Sequence, residues 1–191
     1  MLFWARELLD LKKMKRPKKN LIGIFGGSFD PVHAGHIKIS LESIKRLKLK
    51  TLYFLITNRN PFKKKPFFNI DIRIKKSKKL LKKNKKIKVR SLDKFISSNR
   101  TIDVIKYLIK KNKKSRFYLI IGSDTLIMFH KWKSWKKILK LCKLVVFSRY
   151  GFDLIANKSK TVKYLDKKNI IFVKDKKIKI SSSKLRKNYL V

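Results

Sequence analysis

Cysteine is nearly missing from this chain. Cys142 is the single one in 191 residues, so no internal disulfide can form and a reducing, cytoplasmic setting is expected. No stretch approaches the roughly 20 apolar residues that cross a bilayer, so no membrane partner is expected. The opening residues, MLFWARELLDLKKMKRPKKN, lack the long apolar core and small-residue cleavage site of a secretory signal. Acidic residues are scarce: 11 Asp plus Glu stand against 54 Lys plus Arg, a formal net charge of +43. Glycine, proline and alanine are few, whereas Lys, Ile, Asn and Phe are plentiful. The lysines run through nearly every segment instead of one face or tail. That profile follows A/T-rich codons and implies compositional drift more than a selected polyanion site. It argues against a specific nucleic-acid partner, although such a field attracts anionic substrates whatever its origin.

What is present is enough for one compact domain. Apolar residues make up 43% of the chain, with 13 Phe and 3 Trp, so a sizeable core is available. Residues 1–20 read as an N-terminal extension and 21–191 as the domain. Apolar runs predict strands over 21–25, 51–56, 87–89, 117–121, 144–147 and 170–173. Helical spacing predicts helices over 36–47, 70–81, 101–109 and 181–190, with a Trp-containing helical stretch before residue 144 and a loop over 58–67. Continuous apolar strands alternating with helices predict an α/β, doubly wound parallel sheet, with ligands beyond the carboxyl ends of the strands.

Two segments carry chemistry. Gly26-Gly27-Ser28-Phe29-Asp30-Pro31-Val32-His33-Ala34-Gly35-His36 follows a predicted strand and opens a predicted helix. Glycines there let backbone N–H groups approach a phosphate, Ser28 adds a hydroxyl, and a helix N-terminus favours anions. His33 and His36, two of only 3 histidines in the chain, share a face at a spacing of three. The segment is neither of the common glycine-rich dinucleotide or P-loop patterns. The second is Ile180-Ser181-Ser182-Ser183-Lys184-Leu185-Arg186. Its serines suit a helix cap or an anion cradle, with Arg186 one turn in.

Together these segments resemble the nucleotidyltransferase superfamily with the (H/T)-x-G-H signature. Ile121-Gly122-Ser123-Asp124 and Phe129-x-x-Trp132-x-x-Trp135 are similar to the bacterial nicotinate-nucleotide adenylyltransferases. The resemblance runs from about Leu21 onward and implies a Rossmann-like nucleotidyltransferase fold. It implies ATP over Gly26, Gly27, Ser28 and Phe29, with His33 and His36 as catalytic residues on its phosphates. Ser181, Ser182, Ser183 and Arg186 would lie near the triphosphate. The acceptor phosphate would attack the α-phosphorus, pyrophosphate would leave, and Mg²⁺ would arrive held largely by ATP and water, with no protein metal site. Asn58, Thr101, Asp124, Trp132 and Arg149 match family positions around nicotinate mononucleotide. Trp132 is equally a core aromatic and Asp124 equally a helix cap.

Three departures touch the acceptor side. Pro61-Phe62-Lys63-Lys64 lacks the family's loop histidine, Asn99-Arg100-Thr101 replaces Ser-Tyr-Thr, and Lys133 replaces a frequent aromatic. The end of the chain also reads as slightly short for the family. The expected enzyme joins AMP from ATP to nicotinate mononucleotide, a step of NAD biosynthesis. The alternatives are another acceptor (nicotinamide mononucleotide, phosphopantetheine or FMN) or a non-catalytic basic nucleic-acid-binding protein. A homo-oligomer stays open.

Overall fold

The computed structural model describes residues 20–60, 62, 65–93, 95–165, 170–174 and 182–187. The extension expected over 1–20 lies outside them except for Asn20, as do Pro61, Lys63, Lys64 and Ser181.

Six parallel strands form one sheet in the order β3-β2-β1-β4-β5-β6. They are β1 (Leu21–Gly27), β2 (Thr51–Ile56), β3 (Ile87–Arg90), β4 (Arg116–Gly122), β5 (Lys143–Phe147) and β6 (Ile170–Val173). The connections carry α1 (Ala34–Arg46), α2 (Ile70–Leu81), α3 (Thr101–Lys111), α4 (Ser123–Met128), a 3-10 turn (Phe129–Lys131) and α5 (Trp135–Leu141). Beyond β5 come α6 (Asp153–Asn157), α7 (Lys160–Tyr164) and, after β6, α8 (Ser182–Lys187). This strand order is that of the doubly wound dinucleotide-binding sheet, whose order reverses between β1 and β4.

The sheet is buried on both sides, which explains why its strands read as continuous apolar runs. Successive side chains alternate faces. Ile22, Ile24, Leu119, Ile121, Leu144 and Val146 pack beneath Ile105 and Leu108 of α3 and Ile138 of α5. Phe25, Leu52, Phe54, Ile56, Ile120 and Val145 pack beneath Ile44 of α1 and Leu81 of α2. Burying each such side chain is worth about 1.5–3 kcal/mol, so the two layers hold the sheet rigid and its carboxyl edge in place.

The expected α2 and the strands at 51–56 and 170–173 match residue for residue. Most other boundaries shift by one or two residues. The strand expected over 21–25 runs on through Gly26 and Gly27, because both pair with β2 at Leu55 and Ile56. The helix expected from His36 begins at Ala34, because His33 is its N-cap. Among the described residues no helix is long and apolar enough to cross a membrane.

Candidate active site

The site begins where β1 runs out. Gly26 is exposed, and a Cβ there would meet no protein atom closer than 4.0 Å. A Cβ on Gly27 would come within 3.1 Å of the Phe29 ring, so this second glycine is needed for the turn to pack. Phe29 itself holds φ +47°, a left-handed backbone that costs a bulky residue free energy and is retained by surrounding packing. Its ring supplies that packing, stacked on Phe54 at 3.9 Å and edge-on to His36 at 4.8 Å. Phe29 was expected to lie under ATP. Its side chain is 4% exposed and packs in the core, and the residue also lines the cleft.

The two histidines are oriented by their own helix. His33 Nδ1 accepts the Gly35 N–H at 3.1 Å, and His36 Nδ1 accepts the His33 N–H at 3.3 Å. Together they form a capping box at the start of α1. With Nδ1 accepting, a neutral ring carries its proton on Nε2. The rings stack at 3.8 Å between centroids with planes 26° apart. Burial, and then the charge of Arg149, pushes the His33 pKa down to about 4. His33 is therefore a neutral N–H donor at pH 7.

The opposite wall rises from β4 and β5. Asp124 stands on α4, and a Cβ on Gly122 would meet its Oδ1 at 2.5 Å, so that glycine makes room for the carboxylate. Arg149, just past β5, places Nη1 on Asp124 Oδ2 in an ion pair. Its N–H donates to Ser123 Oγ at 2.9 Å and to Asp153 Oδ1 at 3.1 Å. The floor comes from α8: Ser182 Oγ donates to Pro31 O at 2.9 Å. Arg186 Nη1 donates to Asp30 O at 2.6 Å, and Nη2 donates to Ser183 Oγ at 3.0 Å. Asp30, 4% exposed, also accepts the Phe67 and Phe68 N–H groups at 2.7 and 2.9 Å. It thereby ties the loop after β1 to the chain entering α2 and to α8.

These walls enclose a cleft of about 510 Å³ at the carboxyl ends of β1, β4 and β5. Of the residues expected from the sequence, Gly26, Gly27, Ser28, Phe29, His33, His36, Asp124, Arg149, Ser182, Ser183 and Arg186 all line it. Ser182 and Arg186 were expected to face the triphosphate; in this structure both are hydrogen-bonded to the loop after β1. Asn58 lies elsewhere, in a second cleft of about 550 Å³ with Arg59, Asp93 and Arg100. Thr101 follows Arg100 as the first residue of α3. Trp132 lines neither cleft. It is half-buried, with its ring 5.0 Å from that of Phe129 against the core, as the aromatic-core alternative supposed.

Sequence reading missed Lys38 and Lys65, which add cations to the first cleft, and Asp30 as its latch. Lys38 lies two residues past His36, on the α1 stretch that the motif opens, and that was the available signal. Asp30 stands inside the Gly26-to-His36 segment, but nothing local marked its partners, 37, 38 and 156 residues away. Among the described residues, no three His, Cys, Asp or Glu side chains come together to hold a metal ion. The arrangement is suited to a polyphosphate: two N–H donors at a helix N-terminus, with cations on several sides.

Residues 24–188 match the cytidylyltransferase-like family. A Pelagibacter ubique protein named a probable nicotinate-nucleotide adenylyltransferase is 47% identical over 170 residues, 89% of this chain and 94% of its own.

This chain belongs to the nicotinate-nucleotide adenylyltransferases of the cytidylyltransferase-like family.

An Aquifex aeolicus relative with the same name is 35% identical over 84% of this chain and 98% of its own. Among solved structures, the Plasmodium falciparum nicotinic acid mononucleotide adenylyltransferase complexed with NaAD superposes with a TM-score of 0.69 at 20% identity. It covers 88% of this chain and 83% of that one. At that identity the likeness speaks for the fold alone.

Proposed function

We propose that the protein transfers AMP from ATP to nicotinate mononucleotide, giving nicotinate adenine dinucleotide and pyrophosphate. The observation that carries this reading is the stacked His33–His36 pair, whose Nδ1 atoms are both held by α1 backbone N–H groups. Both histidines line the cleft beside the glycine loop, where an imidazole N–H can donate to a phosphate oxygen.

In this reading ATP lies along Gly26 to Phe29. An oxygen of the acceptor phosphate attacks the α-phosphorus, a new P–O bond forms, and the bond to the bridging oxygen of pyrophosphate breaks. No covalent enzyme intermediate is needed. His36 donates to the α-phosphate as charge builds, and His33, neutral at pH 7, donates beside it. Lys38, Lys65 and Arg186 balance the leaving pyrophosphate. Asp124 holds Arg149 in place to receive the acceptor phosphate, while Asn58 and Thr101 bound the acceptor's other end. Mg²⁺ bound to ATP would supply charge neutralisation to the triphosphate beside Lys38, Lys65 and Arg186. The setting is cytoplasmic, as expected from the lone cysteine.

The test is pyrophosphate release from ATP and Mg²⁺ with nicotinate mononucleotide, nicotinamide mononucleotide, phosphopantetheine and FMN offered separately. Turnover with the first, and little with the others, is the expected outcome. Preference for another acceptor would overturn the acceptor assignment, and silence with all four would overturn the activity.

A further inference from the structure

Arg73 lies one turn into α2 with 2% of its surface exposed, and no step above uses it. Its Nε donates to Phe68 O at 3.0 Å and Asn69 O at 3.4 Å. Nη1 donates to Ser28 O and Thr57 O, each at 2.8 Å, and Nη2 donates to Asn58 O at 3.2 Å. One planar group therefore gathers five carbonyls from three separate segments. Burial pushes its pKa down, while the nearby charges of Asp30 and Asp93 push it up. A guanidinium stays charged in such surroundings.

The place matters as much as the number of bonds. Gly27 and Ile56 are the last paired residues of β1 and β2, and the Thr57 N–H to Gly27 O bond at 3.0 Å closes the ladder. Past it, the carbonyls of Ser28, Thr57 and Asn58 turn inward to the guanidinium. Ser28 lines the first cleft and Asn58 the second. Arg73 is thus the group that joins the loops bounding the two clefts where the sheet has ended.

We propose that Arg73 is a positioning residue, setting the spacing between the ATP loop after β1 and the acceptor side at the end of β2. The proposal rests on the functional reading above, in which the two substrates meet across that spacing. In-line attack requires reacting atoms about 3–3.5 Å apart, and a misplacement of about 1 Å can cost about 10²-fold. Lysine cannot replace the group: one ammonium with three donors cannot reach five carbonyls on three segments.

The experiment compares wild type with Arg73→Lys, with folding confirmed by circular dichroism. At saturating substrates kcat is expected to fall about 10- to 100-fold, while the dissociation constant for ATP alone stays within about threefold. A residue that merely supports the fold would not split the two in this way. Hydrogen exchange supplies a readout that needs no activity. Peptides covering 26–30 and 56–59 should exchange faster together, while β4 and β5 keep their protection. Arg73→Met, an apolar chain replacing a buried ion, serves if the lysine variant does not fold.

Unchanged kcat in a folded variant, or faster exchange confined to α2, would overturn the proposal. Failure of both variants to fold would assign Arg73 to folding alone and also overturn it. Wild-type silence with every acceptor would instead sink the functional reading, leaving the exchange result to decide the role of Arg73.

Discussion

The two clefts at the carboxyl edge are built in opposite ways. In the first, the histidine pair is set by near neighbours: His33 and His36 are held by N–H groups two and three residues away. In the second, Asn58 and Thr57 are held by Asp93, 35 and 36 residues distant, through bonds of 2.6 and 2.8 Å. A local constellation survives wherever its helix forms. A long-range one depends on two loops arriving together, and one of the three departures from the family pattern, at Asn99 and Arg100, lines this cleft with Asp93. The histidine pair is therefore set by its own helix, whereas the Asn58 side depends on how distant loops pack.

The sharpest test of that contrast removes a local donor. His36→Ala should lower kcat by about 10² to 10³, the scale for losing one transition-state donor, in steady-state pyrophosphate release. A variant within a fewfold of wild type would move the chemistry away from the histidine pair.

Trp132 gives a test of the reverse kind. Because its ring leans on Phe129 and lines neither cleft, Trp132→Ala should act on the fold, losing about 2–3 kcal/mol in urea unfolding. Its KM for nicotinate mononucleotide should barely move. A large rise in that KM with normal stability would return Trp132 to the acceptor pocket.

Asp124→Ala frees Arg149 from its carboxylate partner and should raise the acceptor KM about tenfold, on the scale of a charge-assisted bond. The KM for ATP should change less. Equal changes in both would merge the two halves of the site.

The smallest effect is a pH dependence. The His33 pKa lies at about 4, below its ordinary 6.5, so the unfolded chain binds a proton more readily than the folded one between those values. Stability from this group is present above about pH 6.5 and drains as pH falls toward about 4. Since His33 is only half-buried, solvent screening limits the loss to less than about 1 kcal/mol. Urea midpoints at pH 7 and pH 5, for wild type against His33→Asn, should show the difference shrink in the variant. An identical acid slope in both would remove His33 as its source.

Much of the fold was legible because the sheet is covered on both faces, which turns each strand into an unbroken apolar run such as Phe117 to Ile121. The histidine motif was legible because its bonds stay within one turn of helix. Arg186 lines the cleft, yet its partner there, Asp30, is 156 residues away, and no local pattern names such a partner. Arg73 read only as part of a basic helix, since a buried guanidinium and an exposed lysine give similar text. The lone arginine within the lysine-rich α2 was the available clue.

Composition, strand patterning and the Gly26-to-His36 segment by themselves determined the doubly wound class, the parallel strands and the histidine-capped start of α1, because each rests on periodicity or on bonds between near neighbours. Only the tertiary structure decided which loop carbonyls Ser182 and Arg186 bond, and that Trp132 packs against Phe129. It alone joined Ser28 to Asn58 through Arg73. Those outcomes depend on where distant carbonyls and carboxylates come to rest once the sheet is packed, and a buried donor must take the partners that packing brings to it.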